Sequence, residues 1–209
     1  MSERRPTLQP GYFEDIYARD TDPWRFRTSR YEADKYAATL GSLGRDRYGS
    51  ALEVGCSIGV FTRLLAQRCD RLLAIDVSDR ALDIARHDAR DLPQVEFRRA
   101  AVPGGFPAGR YDLIVLSEVL YYLGVADLHR TADLVTEAIE PGGEVVLCHW
   151  LGESDYPLSG HEATTAFIEA TKMRLQVRRS EPHPEYRLEL LSPIGTGLAS
   201  TRTGGADPA

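Results

Sequence analysis

Most of the chain alternates between short apolar runs and longer segments in which apolar residues recur every three or four positions. The pattern predicts five strands, at residues 51–54, 72–77, 95–99, 113–117 and 144–148, of which 113–117 is expected to be buried on both faces. Helical periodicity between them predicts helices at residues 60–69, 78–90 and 127–139. Strands that alternate with helices indicate an α/β protein whose parallel sheet carries helices on both faces.

Two segments depart from this alternation. The crossover at 101–112 holds three glycines and two prolines, so we expect no regular helix there. Nearer the C-terminus, a helix is predicted around 161–172, and residues 175–179 and 186–191 alternate apolar and polar positions across a Pro-His-Pro turn. We interpret these two runs as an antiparallel edge hairpin that completes a mostly parallel sheet of seven strands.

A separate helical block precedes the first strand. Aromatic and apolar residues recur at helical spacing after residue 12, and a second helical run follows at 31–43. We interpret residues 12–43 as a helical lid and 44–193 as the core. Residues 1–11 and 194–209 are too polar or too rich in Gly, Ser, Thr, Ala and Pro to bury much apolar area, which predicts a flexible N-terminus and a disordered tail.

Composition narrows the class of protein. A chain of 209 residues with 43% hydrophobic and 27% charged residues is typical of one globular domain with appendages. The net charge of −6 disfavours nucleic acid and anionic membranes as partners, since both require a basic surface. The spacing of the three cysteines fits no zinc site, and no segment resembles a signal peptide or a membrane span. These features predict a soluble, cytoplasmic protein without a metal, and they leave its oligomeric state open.

The first strand-to-helix turn carries the main binding signal. It reads LEVGCSIG, in which Gly55 permits a tight turn and Gly59 permits close approach of the backbone to a ligand. Asp76 ends the second strand, where a carboxylate can bind both ribose hydroxyls. Each feature alone also fits an ordinary turn or a surface carboxylate. Their order along the chain favours a nucleoside site.

The identity of the nucleoside follows from the residue that precedes the turn. A dinucleotide fingerprint requires glycine two positions before Gly55, where the pyrophosphate would lie, and this sequence has Glu53 there. A carboxylate at that position suits an ammonium group and repels phosphate. S-adenosylmethionine (SAM) carries an ammonium and a sulfonium but no phosphate. SAM is therefore favoured over a nicotinamide dinucleotide.

Four segments in order, LEVGCSIG, AIDVS, YDLIVLSEVLYYL and PGGEVVL, resemble the successive motifs of class I SAM-dependent methyltransferases. The N-terminal DPWRFRTSRYEADKY, together with SEVLYYL, looks like the nodulation protein S family, which N-methylates a deacetylated chitooligosaccharide. The resemblance implies a Rossmann-like fold, with SAM as cofactor and S-adenosylhomocysteine as product. The cofactor-binding positions that it implies are Trp24, Arg30, Tyr31, Glu53, Gly55, Cys56, Ser57, Gly59, Asp76, Val77, Ala101, Val102 and Ser117.

Two positions depart from the family's pattern. Ser57 replaces the commoner third glycine of the first turn, although a small residue still allows close approach of the backbone. After the third strand, Ala101 lies in a stretch that lacks the aspartate which many relatives direct at the adenine amino group. Adenine recognition is therefore expected to rest on backbone groups or apolar contact.

Candidate residues for the chemistry follow the fourth and fifth strands. Methyl transfer requires alignment of the acceptor with the methyl group, and removal of a proton where the acceptor carries one. Glu118, Tyr122 and His149 are our candidates for holding the acceptor or its proton. The alternatives are a solvated carboxylate at a helix start, a core aromatic and a structural histidine, respectively.

The favoured function is N-methylation of an amino sugar or deacetylated oligosaccharide. An O-methyltransferase of another small molecule and a non-catalytic protein that uses a SAM fold to bind a partner are the alternatives. The acidic residues expected around the site favour a cationic amine as acceptor.

Overall fold

The computed structural model describes residues 5–195, with only the backbone described at Pro182. Residues 1–4 of the predicted flexible N-terminus and residues 196–209 of the predicted tail lie outside this range. Within it, no helix is long and apolar enough to cross a membrane.

A seven-stranded sheet forms the centre of the fold, as predicted, in the spatial order β3-β2-β1-β4-β5-β7-β6. The strands are β1 (Ala51–Val54), β2 (Leu72–Asp76), β3 (Val95–Arg99), β4 (Tyr111–Ser117), β5 (Ile139–Trp150), β6 (Leu175–Pro182) and β7 (Tyr186–Pro193). The strands from β1 to β5 pair in parallel, whereas β7 pairs antiparallel with both β5 and β6. The predicted edge hairpin is therefore confirmed.

One predicted turn is instead part of a strand. The Pro-Gly-Gly segment at 141–143 lies inside β5, which begins at Ile139. Tyr111 of β4 pairs with Ile139, and the next pair joins Leu113 to Glu144. The residues between these pairs bulge out, and Gly142 there has a φ of +76°. The Pro-Gly-Gly residues therefore form a bulge within the strand and not a turn that ends it.

In the described part of the chain, six α-helices surround the sheet: α1 (Pro10–Arg19), α2 (Arg30–Ser42), α3 (Val60–Leu65), α4 (Asp79–Asp88), α5 (Val125–Ala138) and α6 (Gly160–Thr171). Ser78 caps α4 by accepting a hydrogen bond from the Ala81 N–H. Helix α3 is shorter than predicted. The chain continues as a 3-10 turn and becomes extended at Cys69, which forms a parallel bridge with Tyr48.

The core lies on both faces of the sheet. Alternate side chains of β4 point to opposite faces: Ile114 packs in the cluster with α5 and α6, and Val115 packs in the cluster with α2 and α3. All of the residues from Leu113 to Leu116 are completely buried. At about 1.5–3 kcal/mol for each buried aliphatic side chain, this strand contributes strongly to stability.

The N-terminal residues close one end of the molecule. Helix α1 packs on α4, where the Asp79 N–H donates to Glu14 Oε1 at 2.6 Å. Residues 5–9, which we call the N-terminal strap, were expected to be flexible. The Leu8 N–H donates to the carbonyl of Tyr122 at 2.9 Å, and the Gly124 N–H donates to Thr7 Oγ1 at 2.9 Å. These long-range hydrogen bonds hold the strap over the ends of the strands.

Candidate functional site

A cavity of about 670 Å³ lies at the carboxyl ends of β1, β2 and β4. This is the edge of an open parallel sheet at which ligands usually bind, and its volume suits a small molecule. The strap and helices α1 and α2 form one wall, and the loops after β4 and β5 form another. The cavity therefore joins the predicted nucleoside site to the predicted acceptor site.

The turn after β1 forms the floor of the cavity. Gly55 and Ser57 line it, with φ values of +81° and +51°. A side chain at Gly55 would meet Val119 at 3.4 Å, so the positive φ is what requires glycine there. Gly59 does not line the cavity within the described chain; its φ is +78°, and a Cβ there would lie 2.9 Å from Ala85 Cβ. Gly59 thus serves helix packing rather than ligand approach.

Asp76 is held in place by backbone donors. Its Oδ2 accepts a hydrogen bond from the Ser57 N–H at 2.8 Å, and its Oδ1 accepts one from the Ser78 N–H at 2.9 Å. Burial raises the pKa of Asp76, and the backbone donors oppose that shift. Each carboxylate oxygen can accept more than one hydrogen bond. Asp76 lines the cavity next to Val77 and so retains capacity for two ligand hydroxyls.

The segment after β3 forms an apolar side of the cavity. Ala101 and Val102 line it together with Ala100. The Ala100 N–H donates to the carbonyl of Asp76 at 2.9 Å, which ties this segment to the end of β2. Trp24 of the lid also lines the cavity, and its ring packs edge-on against Tyr17 with 5.7 Å between centroids.

Glu118 lies in the cavity wall after β4, but both of its carboxylate oxygens are engaged. Oε1 accepts a hydrogen bond from Lys35 Nζ at 2.6 Å. Oε2 accepts from the Tyr121 hydroxyl at 2.5 Å and from the Trp150 N–H at 3.0 Å. Glu118 has a φ of +54° and does not start a helix. This bonding suits a group that organises the wall better than one that takes a proton from a ligand.

Lys35 is a functional candidate that the sequence reasoning missed. Its side chain is only 2% exposed, and its Nζ donates to Glu32 Oε1 at 3.1 Å as well as to Glu118. Burial opposes the charge, but the two carboxylates outweigh it and raise the pKa of Lys35. The sequence pattern could have identified Lys35. Glu32 lies three and four residues before Lys35 and Tyr36, and Thr39 lies four and three residues after them, which places all four on the buried face of α2.

Aromatic rings form the wall between α1 and the loop after β5. Tyr122 contacts Phe13 and Tyr156, with 4.9 Å and 4.7 Å between ring centroids. Burial raises the pKa of Tyr122 well above its ordinary value, so its hydroxyl stays protonated. Tyr122 thus lines the cavity as an aromatic surface with a neutral hydroxyl. Glu153 and Asp155 lie at the same wall.

His149 must be withdrawn as a candidate for the chemistry. Its side chain is completely buried, and its Nε2 accepts a hydrogen bond from the Leu120 N–H at 3.1 Å. Burial lowers the pKa of His149 to about 4. The neutral imidazole therefore supports the 3-10 turn Leu120–Tyr122 from beneath and cannot reach a ligand.

Within residues 5–195, four more predicted cofactor positions lie outside the cavity wall. Arg30 is 94% exposed and pairs with Asp34. Cys56 is buried beneath the turn in a cluster with Ala74 and Leu82. The other two are Glu53, which is buried, and Ser117, whose carbonyl lies behind Gly55.

The burial of Glu53 has an electrostatic consequence. Its carboxyl group packs near Thr62 of α3, and burial raises its pKa to about 7. Because the Glu53 side chain is buried and does not line the cavity among the described residues, its contact with a ligand ammonium stays a prediction. The described residues contain no cluster of metal-ligating side chains.

The family model and the curated relatives that match this sequence point to the same family. The sequence matches the family described as Nodulation protein S (NodS) over residues 13–150. It is 33% identical to Nodulation protein S of Rhizobium tropici over 169 residues, which cover 77% of this chain and 68% of that one. It is 36% identical to Nodulation protein S of Bradyrhizobium diazoefficiens over 122 residues, which cover 57% of this chain and 58% of that one.

A solved structure shares the fold along most of the chain. It is N-methyltransferase NodS from Bradyrhizobium japonicum WM9, in complex with S-adenosylhomocysteine. The TM-score is 0.77 at 26% identity, with 88% of this chain and 98% of that chain covered.

Proposed function

Because this chain belongs to the nodulation protein S family and is a SAM-dependent N-methyltransferase, we propose that it methylates the free amine of an amino sugar or deacetylated oligosaccharide. The observation that carries the proposal is a single cavity with two chemically different ends. One end presents the Asp76 carboxylate, which has capacity to accept ribose hydroxyls, and the other presents a buried cluster of charged residues with a net negative charge when all are ionised.

The residues present fit SAM. Asp76 retains hydrogen-bonding capacity for two ribose hydroxyls, and the apolar side at Ala101 and Val102 suits an adenine ring. Gly55 brings backbone rather than a side chain to the cavity floor, which leaves room for the methionine end. When bound, SAM supplies a methyl group that is activated by its sulfonium sulfur.

The acceptor end favours an amine. Glu32, Lys35 and Glu118 carry one positive and two negative charges when all three are ionised, and they lie in the wall with little solvent to screen them. A net negative wall stabilises an ammonium group and disfavours phosphorylated acceptors. The aromatic surface around Tyr122 offers an apolar face on which a sugar ring can pack.

The test compares glucosamine oligosaccharides that carry a free amine with their N-acetylated forms, using methyl transfer from SAM as the readout. We expect transfer to the free amines only. Equal methylation of the acetylated forms would point to O-methylation instead. Transfer to neither, with SAM binding intact by calorimetry, would refute the amino-sugar acceptor while leaving the cofactor site in place.

A further inference from the structure

The structure raises the question of which group receives the proton of the acceptor amine. Glu118 already accepts three hydrogen bonds, and His149 is buried away from the cavity. Among the other polar side chains that line the cavity near Glu118, two come from the first turn of α2. They are Tyr31 and Glu32.

The Tyr31 hydroxyl lacks a partner. Its oxygen is buried, yet it makes no hydrogen bond to any residue in the described part of the chain. Buried hydroxyls in folded proteins are almost always paired, so an unpaired one in a cavity wall indicates a position that a ligand completes. Lys35 Nζ lies 5.0 Å from the centre of the Tyr31 ring and donates to the carboxylates instead.

Tyr31 lies several strands away from Asp76, the residue proposed to bind the ribose of SAM. Its ring packs against Tyr186 of β7 at 6.2 Å, on the β5 and β7 side of the sheet. Asp76 ends β2, which lies three strands from β5 in the order β2-β1-β4-β5, or roughly 14 Å at the usual strand spacing. A ligand group that reaches Tyr31 therefore lies well beyond the ribose of SAM, and we assign it to the acceptor in place of the cofactor-binding role that the resemblance implies for Tyr31.

Glu32 also has an oxygen with unused capacity. Its Oε1 accepts a hydrogen bond from Lys35 Nζ, whereas its buried Oε2 lies 3.0 Å from that Nζ without hydrogen-bond geometry to any described residue. The charged or titratable groups that face Glu32 come from three elements: Tyr31, Lys35 and Tyr36 from α2, Glu118 from the loop after β4, and Cys148 from β5. Burial raises the pKa of Glu32, and Lys35 partly opposes that shift.

We propose that the first turn of α2 forms the acceptor subsite, in which the Tyr31 hydroxyl hydrogen-bonds the acceptor amine and Glu32 receives its proton. This inference rests on the proposed N-methylation. The N–H bond of the acceptor ammonium breaks, and the proton moves to Glu32 Oε2. The neutral nitrogen then attacks the methyl carbon while the carbon–sulfur bond breaks and its electron pair stays on sulfur. Methylammonium, S-adenosylhomocysteine and protonated Glu32 result, and the proton leaves to solvent.

The test uses two substitutions that preserve shape, Glu32→Gln and Tyr31→Phe, in the full-length protein. For Glu32→Gln we expect kcat to fall by about 10²-fold or more, with the Kd for SAM within about twofold of wild type. In this variant the acid limb of the pH–rate profile should no longer report ionisation of Glu32 and should follow the ionisation of the acceptor amine instead. For Tyr31→Phe we expect about a tenfold loss of kcat/KM, mostly through KM for the amine.

Two matched controls lie outside the cavity. Glu189→Gln alters another buried glutamate that has one cation partner, Arg187, and an unpaired Oε2. Tyr111→Phe alters a buried tyrosine at the start of β4. We expect both controls to keep wild-type kinetics.

Wild-type kcat and an unchanged acid limb in Glu32→Gln would overturn the inference while the proposed function stands. A loss of SAM affinity as large as the loss of kcat in either variant would overturn it too, since it would assign the turn to the cofactor. Failure of the wild-type protein to methylate any free amine would refute the proposed function, and this inference with it.

Discussion

Replacing Lys35 tests how the charged cluster stabilises the fold. Lys35 is one of two lysines in the sequence and lies between Glu32 and Glu118, with its Nζ 3.0 Å and 2.6 Å from their carboxylate oxygens. At an effective dielectric constant of about 20, each contact is worth roughly 6 kcal/mol before desolvation is subtracted. Lys35→Met would leave two carboxylates in a buried wall without their cation. Removing one partner of a buried ion pair typically destabilises a protein by about 3–5 kcal/mol, and we expect the free energy of unfolding to fall by that amount near pH 8.

The loss should depend on pH in a defined direction. Burial already raises the pKa of Glu32, and removing the neighbouring cation raises it further. A carboxyl whose pKa is higher in the folded state destabilises the fold only at pH values where the unfolded chain is ionised. The difference between variant and wild type should therefore shrink as the pH falls toward 5. Urea unfolding at pH 8 and pH 5.5, with the m-value checked for constancy, measures it.

The other lysine provides the control. Lys172 pairs with Glu169 at 2.7 Å on the surface, where the two side chains are 60% and 62% exposed. Exposed pairs of this kind contribute about 0–1 kcal/mol, so Lys172→Met should change stability very little. Equal losses for the two variants, or a Lys35→Met loss that does not change with pH, would refute the account of the buried cluster.

Three further predictions follow from the site. Asp76→Ala should weaken SAM binding by about 2–4 kcal/mol, because a charged acceptor for ribose hydroxyls is lost; unchanged affinity in calorimetry would remove the assignment. Gly55→Val should abolish SAM binding while circular dichroism stays native, because φ there is +81° and the turn lines the cavity; retained binding would contradict this. The stability of wild type relative to His149→Gln should decline as the pH falls from about 6.5 toward 4, because His149 has a pKa of about 4 when folded and the unfolded chain takes up the proton first. Urea titrations of both proteins measure this difference, and kcat should not fall in the variant; a difference that does not change with pH would contradict this account of His149.

Much of the fold could be predicted from the sequence, since the signals are local. The strands at 51–54 and 95–99 were predicted with the bounds that the structure has, because turn residues flank both segments; β1 is buried throughout, whereas β3 is partly exposed at the sheet edge. The tight turn after β1 was also predicted, because glycine marks a positive φ at Gly55. Strand bounds and turn glycines are consequences of side-chain shape and backbone sterics within a few residues.

The acceptor side of the cavity was decided by the tertiary structure. Lys35 and Glu118 are 83 residues apart in the chain, and only the packing of α2 against the sheet brings their side chains together. His149 looked available at the end of a strand, but α6 and the turn after β4 enclose it. The strap from residue 5 to residue 9 has a flexible composition and is held by hydrogen bonds of Thr7 and Leu8 to distant residues. Local periodicity predicts which residues form an element, whereas burial, pairing and pKa depend on which distant groups the fold places within a few ångströms.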